Sequence, residues 1–138
     1  MNALFVILIL LCGCAPNSSA DFKHEGEARC RELTKALASV ENREQLLRVE
    51  PVLKKHFEAL VNLMIAAREY QQNHLDDVSS ETAFEENSAE ILLEEELRRI
   101  YAIEGGREVI ERAQHEALVR LDGYERAQAK KREQLITR

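Results

Sequence analysis

The side chains best suited to covalent chemistry in this sequence are Cys12, Cys14 and Cys30. None of them belongs to a cysteine pair of the oxidoreductase kind. His24, Glu27 and Cys30 recur every third residue. On one helix that spacing spreads three side chains over too wide an arc for tetrahedral coordination, so no metal site is expected there. His115-Glu116 opens like a zinc-protease motif, but Val119 occupies the place of the second histidine ligand. The sequence holds no phosphate-cradling glycine loop and no nucleophile elbow. Its carboxylates are abundant, and abundance alone does not make an acid–base pair. These residues predict no catalytic residue, no cofactor, no metal and no small-molecule substrate. The chain is read as a non-enzyme.

Cys14 stands in a different context. Ala3 to Leu11 is an unbroken apolar run, and no charged side chain precedes Asp21. About 20 apolar residues are needed to cross a bilayer, so the run has the length of a signal-peptide hydrophobic region instead. It ends in Leu11-Cys12-Gly13-Cys14. This resembles the lipobox of bacterial lipoproteins, in which a branched aliphatic, a tolerant position and a small residue precede an obligatory cysteine. The resemblance covers residues 1–14. It implies that Cys14 is alkylated with diacylglycerol, that the chain is cut just before it, and that the new amino group is acylated. It also implies a cell-envelope location, and Ala15 in the place of a retention aspartate implies the outer membrane. The alternative is plain secretion, because Ser18-Ser19-Ala20 offers a small-x-small site for cleavage before Asp21.

Acyl chains contribute about 0.8 kcal/mol per buried methylene, so two or three on one residue make a lasting anchor. A chain processed before Cys14 has lost Cys12 and has consumed Cys14. Cys30 is then the one thiol left, and it is either buried or paired between chains.

Charge narrows the partners. With 19 basic and 25 acidic residues the net charge is -6, so nucleic acid is not expected. Between Asp76 and Glu96 lie Asp76, Asp77, Glu81, Glu85, Glu86, Glu90, Glu94, Glu95 and Glu96, with no Lys or Arg among them. The block lacks the alternating oxygens and fixed glycine of a calcium loop. Acids also favour helix N-termini, which makes it a natural helix start. The cations Arg126, Lys130, Lys131 and Arg132 gather near the end of the sequence. They either complement a helix dipole or meet anionic lipid or wall polymer.

The elements that must carry these residues are helical. Hydrophobic residues make up 45% and charged residues 32%, with five glycines and two prolines in 138 residues, too few turn formers for a sheet. Phe22, Cys30, Leu33, Leu37 and Val40 predict an amphipathic helix over Asp21–Val40. Asn42 and Gln45 form a capping box for a second helix, which Pro51 is expected to break or kink. Leu53, Phe57, Leu60, Met64 and Ala67 continue it with the best periodicity in the chain. Asn62 interrupts an otherwise apolar circumference there, either as a register-setting residue or as a solvent-facing one. Asn87-Ser88-Ala89-Glu90 caps a third helix with Leu93, Leu97 and Ile100 inward, and Gly105-Gly106 ends it. A fourth runs from Arg107 to about Leu135 on Ile110, Ala113, Ala117, Leu121 and Tyr124.

The expected architecture is all-α, an antiparallel bundle of three or four amphipathic helices with Leu53–Ala67 at its centre and the acidic segment at one end. Residues 1–13 are the signal peptide, 14–20 a lipid-anchored linker and 21–138 the helical domain. Two functions follow. The first is a membrane-anchored, non-catalytic structural or protein-interaction module, working on an envelope protein or by self-association. The alternative is a secreted or anchored module whose 76–96 region or basic C-terminal tail binds a charged partner.

Overall fold

The computed structural model describes residues 15–77 and 88–136. They form α1 (Ser19–Ala38), α2 (Arg43–Asn73), a single 3-10 turn (Leu75–Asp77), α3 (Ser88–Tyr101) and α4 (Gly106–Ile136), with no strand among the described residues. The all-α bundle expected from periodicity is the fold.

Local signals set the helix ends. Ser18 Oγ accepts the Asp21 N–H at 3.2 Å while the Asn17 N–H donates to Asp21 Oδ2 at 3.2 Å, so α1 starts at Ser19 and takes in residues whose composition reads as linker. Asn42 Oδ1 accepts the Gln45 N–H at 3.0 Å, and Gln45 Oε1 reaches back to the Glu41 N–H at 2.7 Å. Gly105 adopts φ 71°, a left-handed conformation that suits the sharp reversal between α3 and α4.

Pro51 does not break α2, which is continuous on both sides of it. Its ring leaves only the Leu47 carbonyl without a helical N–H, and Leu47 is 43% exposed, so water reaches that side. Leu46, Leu53 and Phe57 meanwhile hold both flanks in the core. The buried line of α2 also differs from the expected stripe. Leu46, Leu53, Phe57 and Val61 are buried, whereas Leu60 and Ala67 are half-buried and Met64 is 38% exposed.

Chain direction alternates from helix to helix, as in the expected bundle, but the neighbours are not all sequential. Phe22 lies on Tyr70, with ring centroids 5.4 Å apart, so α1 and α2 are antiparallel. Glu50 pairs with Arg112 and Arg68 with Glu125, which makes α2 and α4 parallel. Arg99 of α3 reaches the Leu37 and Val40 carbonyls, so the ends of α3 and α1 coincide. The most extensive interface is between α2 and α4.

With 14 residues against 31 in α2 and α4, α3 covers only half of the bundle. No residue of α1 before Cys30 is buried, none of α2 after Val61, and none of α4 after Ala117. The core therefore fills one half, closed by four helices, while the other half is built from three and is only partly buried. Leu53–Ala67 straddles the boundary, and so only its first part is central.

The α3–α4 reversal is intolerant of bulk. A Cβ at Gly106 would sit 2.0 Å from the Ile100 carbonyl oxygen, whereas one at Gly123 would meet nothing within 4 Å. Gly106→Ala should lower stability by about 2–3 kcal/mol in chemical denaturation, as overpacking does. Gly123→Ala in the same helix should raise it by about 0.5–1 kcal/mol. Equal effects would show that the reversal is not the tight contact described.

Candidate functional site

The residues singled out for chemistry do not converge. Cys14 and Cys12 lie outside the described residues, as do acids 81–86. Cys30 is 7% exposed, on the face of α1 that α3 covers. Burial, then the Glu90 carboxylate, raises its thiol pKa above the usual 9.0, so the protonated form is held. His24 is exposed and Glu27 pairs with Arg31 at 3.6 Å, so neither adds to a cluster with Cys30. His115 is exposed, and Glu116 is engaged by Lys54 at 2.7 Å. Within the acidic block, Glu94 pairs with Arg98 and Glu96 with Arg99, both at 2.8 Å.

Arg99 also has a structural task. Its Nη1 donates to the Val40 carbonyl at 2.6 Å and its Nη2 to the Leu37 carbonyl at 2.8 Å. These carbonyls close the C-terminal turn of α1, where the Val40 N–H also donates to the Leu37 carbonyl at 2.9 Å, so a cation from α3 is set against the negative end of the α1 dipole.

What the structure does bring together is a ladder of polar contacts along the parallel α2–α4 seam. Arg112 donates from Nε and Nη2 to the two Glu50 oxygens at 2.5 and 2.6 Å. Lys54 follows on Glu116, then Arg120 Nη1 on Asn62 Oδ1 at 2.7 Å, then Arg68 on Glu125 at 2.5 Å. Asn62 is thus solvent-facing and also cross-linked to α4. The ladder left a trace in the sequence. Glu50 and Lys54 are four residues apart with signs opposite to Arg112 and Glu116, which are also four apart. Such a match pairs only when the two helices run parallel in one register.

At the last rung of the ladder α2, the turn after it and α4 line an open cleft of about 710 Å³. Arg68, Gln71, Gln72, Leu75, Tyr124, Glu125, Gln128, Ala129 and Arg132 line it. The Tyr124 hydroxyl is buried without a hydrogen-bond partner among the described residues. Arg68 is already matched by Glu125, and the lining holds no His, Cys or Ser. The geometry is that of a contact surface. Sequence periodicity assigns Tyr124 to a core stripe and is blind to the cleft, because it cannot register how closely α2 and α4 pack.

No helix among the described residues is long and apolar enough to cross a membrane. No protein-family model, curated protein or solved structure matches the chain.

Two outcomes follow. The Cys30 thiol should react with a maleimide at least tenfold more slowly in the native chain than in denaturant, since burial both shields it and keeps it protonated; equal rates would contradict its placement. The seam should respond to acid. Hydrogen bonds from Arg112 and Lys54 lower the Glu50 and Glu116 pKa values below the usual 4.5. Their stabilising effect is therefore present above about pH 4.5 and is lost as the pH falls through the lowered folded values. Urea midpoints between pH 6 and pH 3 should fall less in Glu50→Gln/Glu116→Gln than in the parent chain. Parallel pH profiles would remove the ladder from the account of stability.

Proposed function

We propose that this chain is a lipid-anchored helical module of the bacterial cell envelope. In this reading acyl chains on Cys14 hold it to the membrane, the outer membrane of a two-membrane cell, and it acts by contact with an envelope protein or a second copy of itself. The observation that carries the reading is Leu11-Cys12-Gly13-Cys14 placed directly after the apolar run Ala3–Leu11.

The start of α1 supports the same cleavage site. Ser18 provides the helix cap and Ser19 and Ala20 its first residues. Processing before Cys14 keeps that cap, whereas cleavage before Asp21 removes it, a loss worth about 1 kcal/mol at an N-cap. A contact role suits the rest of the molecule. The described residues present exposed apolar side chains such as Leu118 and Val119 on α4, at 51% and 58%, and, separately, a cleft whose lining is amide-rich. Surfaces of this kind bind other helices by packing and side-chain hydrogen bonds.

Mass spectrometry of the chain from native membranes should find Cys14 as the amino-terminal residue bearing diacylglycerol and an N-acyl group. Cys14→Ser should remain unprocessed and unacylated. An unmodified chain beginning at Asp21 would replace the anchor with plain secretion. Cross-linking in intact envelopes should then capture one protein partner or a second copy of the chain, and a chain that stays monomeric and unlinked at every exposed lysine would argue against the contact role.

A further inference from the structure

We infer that the end of α4 is a second membrane contact, in which Lys130, Lys131 and Arg132 meet anionic lipid headgroups while Leu135 and Ile136 enter the interface. The inference rests on acylation of Cys14, which holds the bundle at a bilayer.

Three observations converge on that end of the bundle. The first is topological. Because α1 is antiparallel to α2 and α2 is parallel to α4, the start of α1 and the ends of α2 and α4 lie together, as the Phe22–Tyr70 and Arg68–Glu125 contacts show. The anchoring segment joins the bundle at Ala15, on this side. The second is exposure. The three most exposed large hydrophobics among the described residues are Ile136 at 85%, Leu135 at 77% and Leu75 at 76%, and all three are here. The third is charge. The last two turns of α4 carry three cations against one acid, Glu133, on a chain whose net charge is -6.

The arrangement is that of an interfacial helix end. Lys131 lies one turn before Leu135 and Arg132 one turn before Ile136, so each apolar side chain has a cation behind it on the same face. A cation set back from an apolar tip can reach headgroup phosphates while the tip enters the acyl boundary.

Counting ~1.5 Å per residue from Glu125, which is level with Arg68, Ile136 projects about 16 Å past that pair, and α2 stops about 9 Å short of it. On the other side Ser19 lies ~7 Å past the same level, and Ala15–Asn17 fold back beside α1, with Asn17 bonded to Asp21 and Ala15 and Pro16 sharing a surface hollow with His24 and Glu25. The anchoring segment and the tip of α4 therefore share one end of the bundle, and the tip is the farther out.

Flotation of the full chain with vesicles tests this. In a Cys14→Ser background, so that no acyl chain contributes, the protein should bind phosphatidylglycerol-containing vesicles more tightly than phosphatidylcholine vesicles. Lys130→Gln/Lys131→Gln/Arg132→Gln should lose on the order of 100-fold in that affinity, since each cation near an anionic surface contributes several-fold. Leu135→Ser/Ile136→Ser should weaken binding to both kinds of vesicle. The apolar run Ala3–Leu11 is common to every arm, so the differences report α4, and unchanged circular dichroism confirms that each variant is folded. Unaltered binding of the triple Gln variant would overturn the inference, as would loss of its binding to isolated wall polymer without any loss on vesicles. An acyl-free Cys14 in the native chain would instead overturn the anchoring reading, and it would be detected by mass independently of the flotation result.

Discussion

The length of α3 is the constraint from which the rest of the molecule follows. A helix of 14 residues cannot cover partners of 31, so four-helix burial ends where α3 begins, close to Cys30 and Glu90. Every buried side chain of α1, α2 and α4 lies in the covered half, from Cys30, Leu33 and Leu37 through Leu46, Leu53, Phe57 and Val61 to Val109, Ile110, Ala113 and Ala117. Burying the Leu, Ile, Val and Phe side chains among them contributes about 1.5–3 kcal/mol apiece, so stability is concentrated there. The uncovered half relies on partial burial of Phe22, Tyr70, Leu121 and Tyr124. Regions with few buried contacts open at lower free energy than the core.

Within that frame the charged contacts select an arrangement more than they stabilise it. The pairs along the α2–α4 seam are largely solvent-exposed, and exposed ion pairs contribute little individually. Their value is in register. Sliding α4 by one turn would set Glu50 against Glu108 or Glu116, both acidic, in place of Arg112. Ala113 and Ala117 sit beside Arg112 and Glu116 on α4 and are fully buried, so small side chains let the helices approach while their flanking charges fix the alignment. Arg99 does the corresponding work at the other corner, holding the end of α1 to α3 through two backbone carbonyls.

Much of this was legible in the sequence, for reasons specific to each element. The Asn42–Gln45 cap, the Gly105-Gly106 reversal and the inward line of Ile110, Ala113 and Ala117 are local patterns, and local patterns are what short-range chemistry encodes. Pro51 misled because a helix-breaking tendency of a few kcal/mol is outweighed when both flanks are packed into a core. Leu60 and Met64 misled because periodicity locates an apolar face but not the number of helices covering it. The cleft beside Tyr124 was invisible for a related reason, since periodicity does not register how closely two helices pack along their length. Only the seam could have been read further, from the complementary signs of Glu50 and Lys54 against Arg112 and Glu116.

A net charge of -6 opposes the approach of an anionic surface to the whole chain, and distance reconciles it with the proposed membrane contact of the α4 tip. At physiological ionic strength charges are screened over about 8 Å, whereas α4 is roughly 46 Å long. Acids in the covered half, such as Glu50, Glu94, Glu96 and Glu116, are therefore several screening lengths from a surface touched by Ile136. What such a surface meets is the local charge at that end, three cations on the last two turns of α4 against Glu133 there and Asp76 beside Leu75, and net charge is a poor guide to it. The acidic body resists lying flat on an anionic surface, while the basic tip favours standing end-on. An end-on pose directs the four-helix half and its Gly105-Gly106 reversal away from the bilayer, and it leaves the length of the α2–α4 seam open to a partner approaching from the side.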